Sequence, residues 1–185
     1  MSKDFSSWTL ERIRDEGNSM NWMEERRFDW VPLAATAIDR LVNAQTFLII
    51  TDRNREWFSR YTLSRLNKHD GDRPLLPIVS LGTVFPHMDK LKDEEQMSIL
   101  EDMLSLSFPG GYTFFYIGKG NDPRAQIAKR KENSFIWLLD EQMQNSFYLD
   151  SKDENLDIKL IQLISLFDKS IDAILFSEVD LQNAL

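Results

Sequence analysis

The first candidate ligand site in this sequence is a group of charged residues that directly follows an apolar run. Residues 47–51, Phe-Leu-Ile-Ile-Thr, are typical of a strand buried on both faces, and Asp52, Arg53 and Arg55 come directly after them. Asp52 is a favourable N-cap for the helix predicted next. In an open α/β sheet such a turn is the usual ligand site, and a phosphate site there uses glycine. This turn has no glycine. We therefore predict that it lies where an enzyme of this fold would bind its ligand but that it does not bind phosphate.

A second candidate is the Gly-Lys-Gly sequence at 118–120, which follows an aromatic strand predicted over residues 112–117. These residues are half of a dinucleotide-binding fingerprint. The third glycine is missing, and Asp122-Pro123 occupies the position where the helix should open. A tight turn is therefore the favoured interpretation.

The remaining candidates for catalysis or metal binding are isolated. His69 with Asp70 and Asp72 could hold a cation, but a solvated polar loop is the favoured interpretation. Asp140 and Glu141 could form an acid/base pair, but adjacent residues on a chain point apart. No nucleophile, base and oxyanion site come together in the sequence. We predict no enzymatic activity, no metal site and no cofactor.

A local basic cluster lies at Lys119, Arg124, Lys129, Arg130 and Lys131. It could contact phosphate or an acidic partner, although such a run is usually a solvated helix face. The whole chain has a net charge of −8. Because phosphate neutralisation dominates affinity for DNA and RNA, direct nucleic-acid binding is the least favoured of the functions considered.

The composition is that of an ordinary globular protein. The chain has 185 residues, which suits one domain, and it contains no cysteine for disulfides or thiolate metal sites. Its first residues show no apolar signal region, and no apolar run reaches the length of a membrane span. We therefore expect a cytoplasmic protein that does not enter a membrane.

Hydrophobic periodicity predicts strands that alternate with helices. Helices are predicted over 5–17 and 20–42, with a kink or a fresh start at Pro32, and strands over 47–51, 75–81, 112–117, 134–139 and 146–149. A long helix begins near residue 155. The predicted fold class is α/β: a flavodoxin-like or Rossmann-like three-layer sandwich with a mostly parallel four- or five-stranded sheet and an N-terminal helical pair. We expect a single domain, 1–185, with helices in 1–43 and the sheet with its crossover helices in 44–185.

The predicted N-terminal helices are rich in aromatic residues. Trp8, Trp22 and Trp30 lie in the first thirty residues, together with Met20, Met23 and Phe28. Two short helices cannot bury that surface on themselves, so it packs on the domain's core or forms a subunit or partner interface. We predict a stable oligomer whose interface includes these helices.

Three segments resemble the HobA family of bacterial DnaA-binding initiation regulators: residues 73–77, Arg-Pro-Leu-Leu-Pro; residues 134–141, Ser-Phe-Ile-Trp-Leu-Leu-Asp-Glu; and the helix over 156–167. The similarity covers nearly the whole chain. The family is related in fold to DiaA and to sugar-isomerase (SIS) domains. The resemblance implies a homotetramer that binds the N-terminal domain of DnaA and promotes ordered DnaA assembly at the chromosomal replication origin.

The leading hypothesis is therefore a non-enzymatic oligomeric adaptor. Its candidate docking residues are exposed aromatic and acidic side chains, with a weaker candidate after the last helix: Trp22, Glu24, Glu25, Phe28, Trp30 and, more weakly, Phe176. The alternative is a sugar-phosphate isomerase or sensor of the SIS type. It would use Arg53, Arg55 and Lys119 at the ends of the strands.

Overall fold

The computed structural model describes residues 3–68, 71, 73–181 and 184. Its helices are α1 Phe5–Asp15, α2 Met23–Val42, α3 Glu56–Leu66, α4 Leu81–Val84, α5 Glu94–Ser107, α6 Pro123–Lys129 and α7 Leu156–Leu175. Its strands are β1 Lys3–Asp4, β2 Thr46–Thr51, β3 Ile78–Ser80, β4 Tyr112–Lys119, β5 Phe135–Leu139, β6 Phe147–Leu149 and β7 Val179–Asp180. The candidate cation ligands His69, Asp70 and Asp72 lie outside the described residues.

Strands β2 to β6 form one parallel sheet in the order β3-β2-β4-β5-β6. Strand β2 is the first of the five in the chain, and the next two strands pair on opposite sides of it. This is the flavodoxin-like strand order. The predicted parallel sheet is confirmed and has five strands, and the strand that follows Pro77 lies at its edge.

Helices of the same compact unit, residues 43–151, cover both faces of this sheet. On one face, Leu48, Phe114 and Ile136 pack in a core with residues of α5 and α6. On the other face, the Trp137 ring lies 6.1 Å from that of Phe58 in α3. A sheet covered on both faces needs apolar residues at successive positions, which explains the uninterrupted apolar runs in β2, β4 and β5. The predicted sandwich is confirmed.

A second compact unit comprises residues 1–42 and 152–185. Here α1 and α2 pack with α7, and β1 pairs in parallel with β7. The last helix therefore belongs to the same unit as the N-terminal helices. This differs from the predicted division into 1–43 and 44–185, which places that helix with the sheet. The apolar stripe of α7 is wide because the helix packs against two others.

Helix α2 continues without a fresh start through Pro32. The proline removes the hydrogen bond to the Phe28 carbonyl, but both residues are exposed, so water can replace that bond. The Pro32 carbonyl in turn accepts a hydrogen bond from Thr36 Oγ1 at 2.9 Å. An exposed proline can therefore lie inside this helix.

Candidate functional site: a filled strand mouth and an N-terminal surface

The β2–β4 mouth, formed by Asp52, Gly118 and Lys119, lies where both strands end. In this strand order it is the point at which ligands normally bind. The Asp52 carboxylate lies in it: Oδ2 accepts hydrogen bonds from the Lys119 N–H at 2.8 Å and from Arg55 Nη1 at 2.5 Å. Asp52 is only 4% exposed. Asp52 takes the N-cap position of the 3-10 turn Arg53–Arg55 that leads into α3, but its side chain makes no capping hydrogen bond.

The glycines after β4 allow this close approach. A Cβ atom on Gly118 would lie 2.9 Å from Asp52 Cβ and 2.6 Å from the Tyr116 hydroxyl. A Cβ atom on Gly120 would lie 2.0 Å from Glu141 Oε2. The Gly-Lys-Gly sequence is therefore a turn, as the sequence analysis favoured. Its two glycines allow the backbone to pack against the carboxylates of Asp52 and Glu141.

Arg124, at the start of α6, connects the groups around this mouth. Its guanidinium donates to Asp89 at 2.6 and 2.8 Å, to Glu56 at 3.1 Å and to the Thr51 carbonyl at 3.1 Å. The hydrogen bond to Asp89 is the main cause of the raised pKa of Arg124. The same bond is the main cause of the lowered pKa of Asp89. Sequence analysis missed Asp89, because it lies in a polar stretch 35 residues before Arg124.

Tyr116 also borders the mouth, where its hydroxyl donates to the Lys119 carbonyl at 2.8 Å. Burial raises the pKa of Tyr116 far above its usual value, and the negative charges of Asp122 and Asp52 raise it further. The phenol is therefore a hydrogen-bond donor that stays protonated. It cannot serve as a general base near neutral pH.

The predicted basic cluster is engaged within the protein. Lys129 bonds Glu141 at 2.8 Å, Arg130 bonds Glu94 and Glu101 at 2.7 and 2.8 Å, and Lys119 lies 3.7 Å from Asp140. Lys131 lies 4.1 Å from the centre of the Tyr112 ring. The cations assigned to the sugar-phosphate alternative are paired too, since Arg55 bonds Asp52 and Arg53 lies 3.5 Å from Asp89. Each of these cations thus already has an acidic or aromatic partner within the protein.

A cavity of about 370 Å³ lies beside the mouth, at the ends of β2 and the edge strand β3. Its polar lining includes Glu56, Ser59, Arg60, Ser80 and Thr83.

Within the described residues, no group of His, Asp and Glu side chains could hold a metal ion. In the same part of the chain, no helix combines the length and apolar character of a membrane span.

The predicted docking residues differ in exposure. The Phe28 side chain is 64% exposed and Phe176 is 54% exposed, whereas Trp30 is completely buried. The expectation of an exposed side chain at Trp30 is therefore wrong. Its ring lies 6.3 Å from that of Phe5, which also stacks on Trp8. Most of the aromatic surface in the N-terminal helices is thus covered within one chain, and it no longer argues by itself for a subunit interface.

Trp22, Glu25 and Phe28 form what we call the N-terminal surface. Trp22 is half-buried, and its Nε1 donates to Gln162 of α7 at 2.9 Å, while Lys159 lies 4.8 Å from its ring centre. The Arg27 guanidinium lies 4.0 Å from the centre of the Phe28 ring. These contacts hold two aromatic rings in fixed positions, and Glu25 beside them is exposed.

Glu24 differs from the exposed Glu25 because its carboxylate is paired with Arg14. Its carboxylate accepts hydrogen bonds from Arg14 at 3.1 and 3.2 Å, and this contact lowers the pKa of Glu24. Ile158 and Ile161 of α7 are exposed apolar residues as well, and Ile158 lies one turn before Gln162 on that helix.

The strand order defines a doubly wound α/β protein, and at its β2–β4 mouth the described glycines pack against the protein's own carboxylates. The chain belongs to the HobA family of DNA replication regulators, whose family model matches residues 1–181. This confirms the resemblance found in the sequence.

Individual relatives agree with this assignment. The DNA replication regulator protein HobA of Helicobacter pylori is 30% identical over 187 residues, which cover 97% of this chain and 99% of the relative. The crystal structure of a HobA–DnaA (domain I-II) complex from Helicobacter pylori matches with a TM-score of 0.77 at 29% identity, over 96% of this chain and 99% of that one. The crystal structure of HobA alone matches with a TM-score of 0.76 at 29% identity, over 97% and 99%.

Proposed function

We propose that this protein is a non-enzymatic oligomeric adaptor that binds the N-terminal domain of DnaA and promotes its ordered assembly at the chromosomal replication origin. The observation that carries the proposal is the similarity, over 96% of the chain, to HobA in its complex with DnaA domain I-II. The protein would act in the cytoplasm, where DnaA meets the chromosome.

The N-terminal surface is the candidate docking site. Interface affinity is concentrated in a few aromatic anchors surrounded by polar residues. Phe28 is the strongest anchor candidate because its ring is exposed and held in place by Arg27. Trp22 contributes a partly exposed ring, and Glu25 contributes an exposed charge that can steer association. Phe176, at the C-terminal end of α7, is a weaker candidate outside the defined surface. Glu24 supports this surface through its pairing with Arg14.

Charge favours a protein partner over DNA. The chain carries a net charge of −8, and its basic cluster near α6 is engaged by acidic and aromatic side chains. An oligomer multiplies the negative charge, which disfavours direct contact with a duplex. The assembly at the origin is then organised through DnaA.

A homotetramer would present four identical docking sites. Multivalency converts a modest affinity at each site into stable clustering of the partner. Light scattering after size exclusion tests this directly: the protein alone should have four times the chain mass of 21.7 kDa, and adding the DnaA N-terminal domain should give a heavier complex. A monomer at micromolar concentration, or no mass increase with DnaA, would overturn the corresponding half of the proposal.

The absence of enzyme activity has its own test. The β2–β4 mouth is filled, so the polar cavity beside β3 is our candidate place for an SIS-type ligand. Calorimetric titration with a panel of hexose phosphates should give no saturable heat. A micromolar dissociation constant would favour the sugar-phosphate alternative instead.

A further inference from the structure

The Asp52 carboxylate lies in the β2–β4 mouth as a bound anion would. One oxygen accepts both from a backbone N–H, that of Lys119, and from the cationic guanidinium of Arg55. A backbone donor combined with an arginine is a common arrangement for binding oxyanions in proteins. Asp52 and Arg55 are both more than nine-tenths buried, so the arrangement is removed from solvent.

The surrounding backbone leaves room for this carboxylate. Gly118 is the residue at which any side chain would collide with Asp52, since a Cβ atom there would lie 2.9 Å from Asp52 Cγ. The fit is nevertheless incomplete. Among the described residues, Asp52 Oδ1 and Arg55 Nε are buried without a hydrogen-bond partner. Asp52 uses Oδ2 for both of its donors in this position, whereas a free carboxylate could turn so that each oxygen accepts a hydrogen bond.

We propose that the β2–β4 mouth is a carboxylate-binding site that the chain fills with its own Asp52. The mouth lies at the position where this strand order binds ligands, and Asp52 replaces the ligand there. The inference does not depend on DnaA binding. It requires that a chain without this carboxylate binds a small free carboxylate in the same place.

The test measures thermal unfolding of Asp52→Ala in sodium formate and in sodium chloride at equal ionic strength. The variant should unfold at a lower temperature than wild type in chloride, because Arg55 and the Lys119 N–H lose their partner. Formate should raise its Tm by roughly 5 °C or more at about 100 times the dissociation constant, and above that constant the rise should follow the logarithm of the formate concentration. The wild type, whose site is occupied, should show the same Tm in both salts.

Two matched variants separate this site from a general effect of formate. Glu101→Ala removes a half-exposed carboxylate on α5 that bonds Arg130 at 2.8 Å, and its Tm should not depend on which salt is present. The double variant Asp52→Ala with Arg55→Met removes the cation and should lose the formate response. Equal Tm values for Asp52→Ala in the two salts, or an undiminished response in the double variant, would overturn the proposal.

Refolding yield covers the case in which Asp52→Ala does not fold in chloride. After dilution from denaturant, the proposal predicts more folded protein in formate than in chloride for this variant alone. Equal yields in the two salts would overturn it.

Discussion

The Arg124 guanidinium binds the Asp89 carboxylate through two parallel hydrogen bonds, from Nε to Oδ1 at 2.6 Å and from Nη2 to Oδ2 at 2.8 Å. The pair joins the first turn of α6 to the 3-10 turn Met88–Lys90. Arg124 also reaches the last carbonyl of β2, that of Thr51. One buried side chain thus fixes the segments that surround the strand ends.

Arg124 and Asp89 should be energetically coupled. A double-mutant cycle with Arg124→Met and Asp89→Ala should give a coupling free energy of about 1–3 kcal/mol in urea unfolding, because Arg124 is buried and the geometry is bidentate. Arg130 and Glu94 are the control pair, with a bond of similar length, 2.7 Å, at an exposed site. Their coupling should be too small to measure, since exposed pairs gain little. Equal coupling in both cycles would contradict this role for Arg124.

The Asp89 pair also predicts a pH dependence. The hydrogen bond from Arg124 lowers the pKa of Asp89 in the folded state. A lowered pKa stabilises the fold above the unfolded value of about 3.9, and this stabilisation is lost as the pH falls through the folded pKa. Near neutral pH, Asp89→Asn should therefore unfold at a lower urea concentration than the wild type. The difference between the two urea midpoints should decrease below about pH 4. A gap that stays constant down to about pH 3 would contradict the assignment.

Trp30 should matter for stability and not for docking. Trp30→Ala should lower the free energy of unfolding by about 3–5 kcal/mol, because it removes a fully buried ring. The control is Phe28→Ala, which removes an exposed ring and should cost at most about 0.5 kcal/mol. Chemical denaturation of both variants measures the difference. Similar losses would mean that Trp30 is not part of the core.

Phe28 should control the lifetime of the DnaA complex. If it is an anchor, Phe28→Ser should speed dissociation of the DnaA N-terminal domain about tenfold or more, with little effect on the association rate. Leu106→Ser is the matched control, because Leu106 is an apolar residue that is 84% exposed and lies on α5, outside the N-terminal surface. Unchanged dissociation for Phe28→Ser, or equal changes in both variants, would exclude Phe28 as the anchor.

Sequence patterns predicted the sheet because its strands are locally distinctive. The apolar runs that became β2, β4 and β5 are long, β-branched or aromatic, and bounded by polar turns, which leaves few alternatives. The groups that fill the mouth could not be predicted in the same way. Lys119 lies 67 residues after Asp52, and only the parallel pairing of β2 with β4 brings the two together.

The exposure of the N-terminal aromatic residues was only partly predictable. Met23, Trp30, Ala34, Ile38 and Leu41 recur at helical spacing, and all five are buried. Phe28 falls outside that stripe and is exposed. The helical periodicity of α2 therefore predicts a buried Trp30 and an exposed Phe28. The number of aromatic residues in the segment does not distinguish the two positions. What covers Phe28 in a complex depends on the partner's surface, which this chain does not encode.

Surface plasmon resonance tests the adaptor role most directly. The DnaA N-terminal domain and an origin DNA duplex are immobilised on separate channels, and the protein is passed over both at a physiological ionic strength of about 0.15 M. We predict saturable binding to the DnaA domain and none to the duplex. Tight binding to the duplex with no binding to the DnaA domain would contradict the adaptor role.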